Sequence, residues 1–182
     1  MIATIFGKKK ITEDRLANVF VNALLQLVQQ GFADVAAELN EAPELAGAQV
    51  VDPEGDETFL HVVLAGNLME LQRQLQAGQD QRVAALVISK FAQALGTRTS
   101  DVERSITTLQ QMMARLNHPS KNTVYAMSKA VFHQYDLFRF QTDEFFRDQR
   151  VPHPVILKRL NGLMGFFLWD WDSFHEQYRL SS

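Results

Sequence analysis

Hydrophobic positions along this chain recur mostly at spacings of three and four, the period of helices that bury one face. The clearest case is Thr12 to Gln30, where Leu16, Val19, Phe20, Ala23, Leu24, Leu27 and Val28 form one stripe. Thr12 is suited to cap its start, with Glu13 and Asp14 in the first turn and Ile11 stapled onto Leu16. Gly31 is expected to stop it in a left-handed turn, with Phe32 folding back toward Leu27. A separate short helix is then expected over Ala33 to Glu41, followed by an exposed connection from Ala42 to Gly55 that carries two prolines and two glycines.

From Asp56 the pattern divides. Leu60, Leu64, Leu68, Leu71 and Leu75 make a helical stripe behind an Asp56 cap, but Phe59 to Leu64 is also β-prone. A helix is the expectation, with a small hairpin of Ala48–Asp52 and Thr58–Ala65 as the alternative. Further helices are expected from Gln81 to Leu95, opened by Asp80 and closed by Gly96, and from Ser100, where Ser100 and Glu103 stand at capping-box spacing, to Asn117. Ser120 is placed to cap the next, which runs through Val124, Met127, Val131, Tyr135 and Phe138 as far as Arg147, as one long helix or a pair bent near Thr142. Pro154 at a first helical position launches Val155 to Leu168, and a last turn or two follows Asp172. The chain thus reads as all-α: a compact single-domain bundle of about six to eight helices over residues 12–182, behind a flexible N-terminal segment at 1–11, with the possible hairpin near 48–65.

Aromatic residues change this picture most, because thirteen of the eighteen lie between Tyr125 and Tyr178. Rings carry the largest apolar area per residue, so this third holds either a tight core or a surface that another molecule covers. Most of these rings are expected in the core. Trp169 and Trp171 straddle Asp170 and point in different directions if helical, so one of them is expected to stay partly open. With Phe166 and Phe174 beside them, Trp169 and Trp171 form the candidate binding surface, since tryptophan with a polar rim suits a contact hot spot.

Charge adds an asymmetry that the overall net of −3 conceals. Ala33 to Asp80 contains ten acids against the single base Arg73, a local net of −9, whereas the regions on either side are basic. An acidic stretch of this kind favours a basic partner surface and disfavours nucleic acid. The bases after Gln81 are spread one or two per helix, so no stripe tracks a phosphate backbone. The run Lys8-Lys9-Lys10 beside Ile2, Ile5 and Phe6 is compatible with contact at an anionic membrane surface, although a solvated terminus is the plainer expectation. The longest nearly unbroken apolar run, Gly162 to Trp169, is eight residues, well short of the roughly 20 that a spanning helix needs. No cysteine is present, which fits a reducing compartment and makes the cytoplasm the expected location. No export signal is read at Met1 to Lys10.

Chemistry-bearing motifs are sparse. Glu-x-x-His, His-x-x-x-His, a nucleophile elbow and a glycine-rich phosphate loop are all missing from the sequence. Asp172-x-x-His175 beside Glu176 is the nearest approach to a metal motif, and no metal or cofactor is expected. His133 and Asp136, at helical i, i+3 spacing, are the candidate polar pair of a site. The functional expectation is therefore a non-catalytic protein–protein interaction or self-association module that uses the aromatic C-terminal region. The alternative is a small-molecule binder or enzyme with an apolar pocket between the C-terminal helices, lined by Phe138, Phe145 and Phe167, with His133, Asp136 or His175 supplying polarity.

Overall fold

The computed structural model describes residues 7–47 and 49–181. Eight α-helices are found among them: α1 (Glu13–Asn40), α2 (Glu57–Gln74), α3 (Gln79–Leu95), α4 (Thr99–Asn117), α5 (Thr123–Gln134), α6 (Glu144–Gln149), α7 (Pro154–Met164) and α8 (Trp171–Gln177). Two strands, β1 (Lys9–Thr12) and β2 (Tyr178–Ser181), complete the fold. The all-α bundle is as the apolar spacing predicts. No helix among the described residues is long and apolar enough to cross a membrane.

Helix α2 is the centre, packed against α1, α3, α4 and α5. Every residue from Val62 to Leu68 is buried, so this helix is enclosed on all sides rather than along one stripe. That is why its sequence also read as a strand, and the hairpin alternative does not occur. Gly66 lets α5 approach closely, because a Cβ there would lie 2.5 Å from Met127 Cγ and Sδ. Around this axis a single core assembles, with Phe20, Phe59, Phe91, Phe132 and Phe138 among its fully buried rings.

Helix α1 begins as its sequence predicts, with the Thr12 hydroxyl accepting from the Arg15 N–H at 3.2 Å. It does not stop at Gly31. The helix continues unbroken to Asn40, 28 residues in all and about 42 Å long at 1.5 Å per residue. Gly31 serves close packing instead of chain reversal: a Cβ at this position would sit 2.9 Å from Phe167 Cζ. Phe32 turns away from Leu27 into the core, where its ring meets Phe59 at 5.1 Å.

Several other boundaries shift by a few residues for local reasons. Helix α3 closes on Gly96 in the left-handed conformation, as expected, but opens at Gln79, with Asp80 Oδ1 accepting from the Gly78 N–H. Helix α4 starts behind Arg98 with no side-chain cap, so the Ser100–Glu103 capping box is not formed. Helix α5 is capped by Asn122 rather than Ser120 and ends at Gln134, because Asp136 takes a left-handed conformation (φ 47°) and turns the chain. The stretch expected as one long helix or a pair bent near Thr142 is divided into α5, a 3-10 turn at Leu137–Phe140 and the short α6, which starts just after Thr142. Pro154 opens α7 as predicted.

The strands were not foreseen. β1 and β2 pair in parallel with Lys9 opposite Tyr178, Lys10 opposite Arg179 and Ile11 opposite Leu180. Part of the segment expected to be loose, residues 9–11, is therefore tied to the C-terminal segment, with Ile11 buried. The membrane expectation for Met1 to Lys10 falls largely on residues 1–6, which lie outside the described residues.

Candidate functional site

After α7 the chain makes a 3-10 turn at Gly165–Phe167 and runs through Leu168 and Trp169 into α8. Phe167 plugs the slot at Gly31 and meets Phe59 edge-on at 4.9 Å, while Phe166 faces solvent, 76% exposed. The backbone that follows is locked by Asn67 of α2. Its amide nitrogen donates to the Val63 and Phe167 carbonyls, each at 2.8 Å, and its Oδ1 accepts from the Trp169 N–H at 2.8 Å. Asp170 then caps α8, accepting from the Ser173 N–H at 2.9 Å and the Ser173 hydroxyl at 2.7 Å. Those bonds hold the Asp170 carboxyl below its ordinary pKa, the backbone N–H contributing most.

The two tryptophans are thereby sent to different places. Trp171 (5% exposed) and Phe174 (6%) are core residues: the Trp171 ring packs against Phe20, Phe174 and His175. Trp171 is absent from the lining of the adjoining groove, whereas Phe174 contributes an edge to it. Trp169 is the half-buried one, leaning on Phe20 at 5.3 Å. It forms part of an apolar groove of about 300 Å³ between α1 and α8, with Ile11, Leu16, Val19, Phe174 and Tyr178 as the other apolar walls. Arg15, Asp170, Ser173 and Gln177 make its polar rim. Val19, at 44% exposure, contributes open apolar surface on the α1 side.

The remaining sequence candidates do not join this groove. Phe166 lies outside its lining. His133 and Asp136 sit at the end of α5, where the hydrogen bond between them runs from backbone to backbone, from the Asp136 N–H to the His133 carbonyl at 3.2 Å. The His133 ring meets Phe138 edge-on at 4.8 Å, and the Asp136 carboxylate pairs with Arg150 at 3.2 Å. Burial holds the His133 pKa below its ordinary value, reinforced by Arg150 and Arg115 and opposed by Asp136. Between the two side chains themselves no hydrogen bond is found. His175 stacks on Trp171 and shares a hydrogen bond with Gln74 Oε1 at 3.2 Å. Among the described residues, no three His, Asp or Glu side chains are grouped so as to hold a metal ion. The expected pocket of Phe138, Phe145 and Phe167 does not form, since Phe138 and Phe167 are buried whereas Phe145 is 65% exposed.

A second cavity, about 580 Å³, lies between α2 and α4 and is mixed in character, with Glu57, His61, Asp101 and Arg104 beside Leu109 and Met112 in its walls. Its chemistry is largely spent internally: Asp101 pairs with Arg98 and Arg104, and His61 Nδ1 bonds the Glu57 carbonyl. Compared with models of protein families, with curated proteins and with solved structures, the chain matches none. The apolar groove therefore stands on its geometry alone. Sequence reasoning found its tryptophan but missed Ile11, Val19 and Tyr178, which come from distant parts of the chain, and Asn67, whose only signal was an amide inside an apolar run.

Proposed function

We propose that this protein acts by association, receiving an apolar side chain of a protein partner or of a second copy in the groove between α1 and α8, without catalysis. The observation that carries this reading is a half-buried tryptophan beside exposed Val19, on a backbone locked by Asn67 and Asp170. Aromatic anchors in preformed apolar recesses dominate binding energy, and a fixed backbone lowers the entropy lost on docking. The acidic stretch Ala33 to Asp80 is a second contact available to a basic partner. The absence of cysteine fits a reducing compartment, and the cytoplasm is the proposed location.

Mass in solution and co-purification with the intact chain as bait test this reading. Trp169→Ala and Val19→Asp are expected to weaken the recovered association about thirtyfold, the size of a hot-spot loss of about 2 kcal/mol. A strict monomer without partners, or complexes indifferent to both changes, overturns it. A small apolar molecule that co-purifies and is displaced only by Trp169→Ala would move the assignment to ligand binding.

A further inference from the structure

The groove opens on one side of Phe174 and Tyr178, and a larger cavity of about 880 Å³ opens on the other, with both rings lining both spaces. Among the described residues, the titratable side chains around the larger cavity are Lys8, Lys10, Arg82, His175, Tyr178 and Arg179, with no carboxylate in its walls. Arg82 is already engaged by Glu13, at 2.8 and 3.0 Å. Lys8, Lys10 and Arg179 are exposed, and among the described residues no carboxylate stands within ion-pair distance of them. Lys10 and Arg179 are moreover directly opposite in the β1–β2 register. Like charges on opposed sheet positions cost stability, and such a local conflict is characteristic of functional surfaces.

We infer that groove and cleft together receive one extended acidic segment of a protein partner, its apolar side chain against Trp169 and its carboxylates at Lys8, Lys10 and Arg179. This rests on the association reading of the groove and specifies the partner's chemistry. Charge complementarity selects the acids, and the divider of Phe174 and Tyr178 sets them beside an apolar anchor. The sheet favours a peptide over a lipid headgroup. With only two strands described, each has an edge with no strand beside it, and an extended chain offers main-chain groups to such an edge as no lipid does.

The test is selection from a random displayed peptide library on the intact chain, followed by affinity measurements on Lys10→Glu/Arg179→Glu and on Trp169→Ala. Selected peptides should carry several acids next to a Phe, Leu or Trp. Charge reversal should weaken them about tenfold or more, and the loss should shrink as salt rises. Trp169→Ala should weaken them as well. Lys10 and Arg179 are exposed, so far-ultraviolet spectra of the reversed variant should match the parent. If the cations only keep a bare sheet edge from pairing, charge reversal leaves peptide affinity unchanged and the inference fails. Aromatic peptides without acids, weakened by Trp169→Ala alone, overturn this inference and leave the association reading standing. Acidic peptides indifferent to Trp169→Ala overturn the groove's part in both. Failure to select any peptide, with charge-dependent sedimentation on phosphatidylserine vesicles, assigns the surface to a membrane and overturns the proposal.

Discussion

The side-chain amide of Asn67 lies inside a helix enclosed on all sides, where a polar group is tolerated only if its donors and acceptor are matched. Its three bonds do this while fixing the backbone on either side of Leu168. Asn67→Leu leaves the Phe167 carbonyl and the Trp169 N–H without partners, each costing about 1–3 kcal/mol. Urea unfolding should show a loss of about 3 kcal/mol, with tryptophan emission shifted to the red as Trp169 loosens. Other amides staple loops in the same way: Asn40 binds the backbone of Val50 and Val51, and Gln141 bridges Val151 and His153. Ionisable residues set the pH limits. Tyr135, packed beside Phe32, has its pKa pushed up to about 12 by burial. Its neutral form is favoured in the folded state, so its contribution is complete below pH of about 10, the unfolded value, and is lost toward 12. His133 works oppositely: its depressed folded pKa gives stability present above about 6.5 and lost on acidification. Thermal melts across pH should show both limbs, the alkaline one flattened by Tyr135→Phe and the acidic one by His133→Gln.

Helix α1 illustrates how a local stop signal yields to packing. Glycine after an apolar stripe ordinarily ends a helix, yet here the missing Cβ makes room for the Phe167 ring, and the helix runs on to Asn40. In Gly31→Ala the gain in helix propensity, up to about 1 kcal/mol, is outweighed by a clash with a buried ring, for which overpacking costs about 1–3 kcal/mol. Denaturant midpoints should therefore fall for Gly31→Ala, and Phe167→Leu should recover part of the loss in the double variant, whereas two independent additive losses would reject the packing account. The same contrast separates what was legible in the sequence from what was not. The Thr12 cap, the Gly96 stop and the Pro154 start depend on neighbours within a turn, and all three stand as read. The continuation past Gly31 depends on a ring far along the chain. Likewise the tryptophan density pointed to the right region for the groove, but which ring stayed open was decided by Asn67 and Phe20, on other helices.

At the scale of the whole molecule, the β1–β2 pair closes the fold by joining the described segments at its two extremes, a long-range pairing for which four-residue strands give no periodic signal. It also builds the candidate site, because Ile11 and Tyr178 are walls of the groove and Lys10 and Arg179 face the adjoining cleft. A chain ending at Gln177 should lose this closure without losing the bundle, whose centre is α2 among α1, α3, α4 and α5. Re-exposing Ile11 costs about 2 kcal/mol, which lowers the melting temperature by roughly 4–8 °C in a domain of this size. Hydrogen exchange provides the sharper readout. Amides of Lys10 to Thr12 should exchange freely in the shortened chain while those of α2 keep their protection, and binding at the groove should fall with the former. Equal loss of protection in α2 would instead make the strand pair part of the cooperative core, so that the groove could not loosen without unfolding the protein.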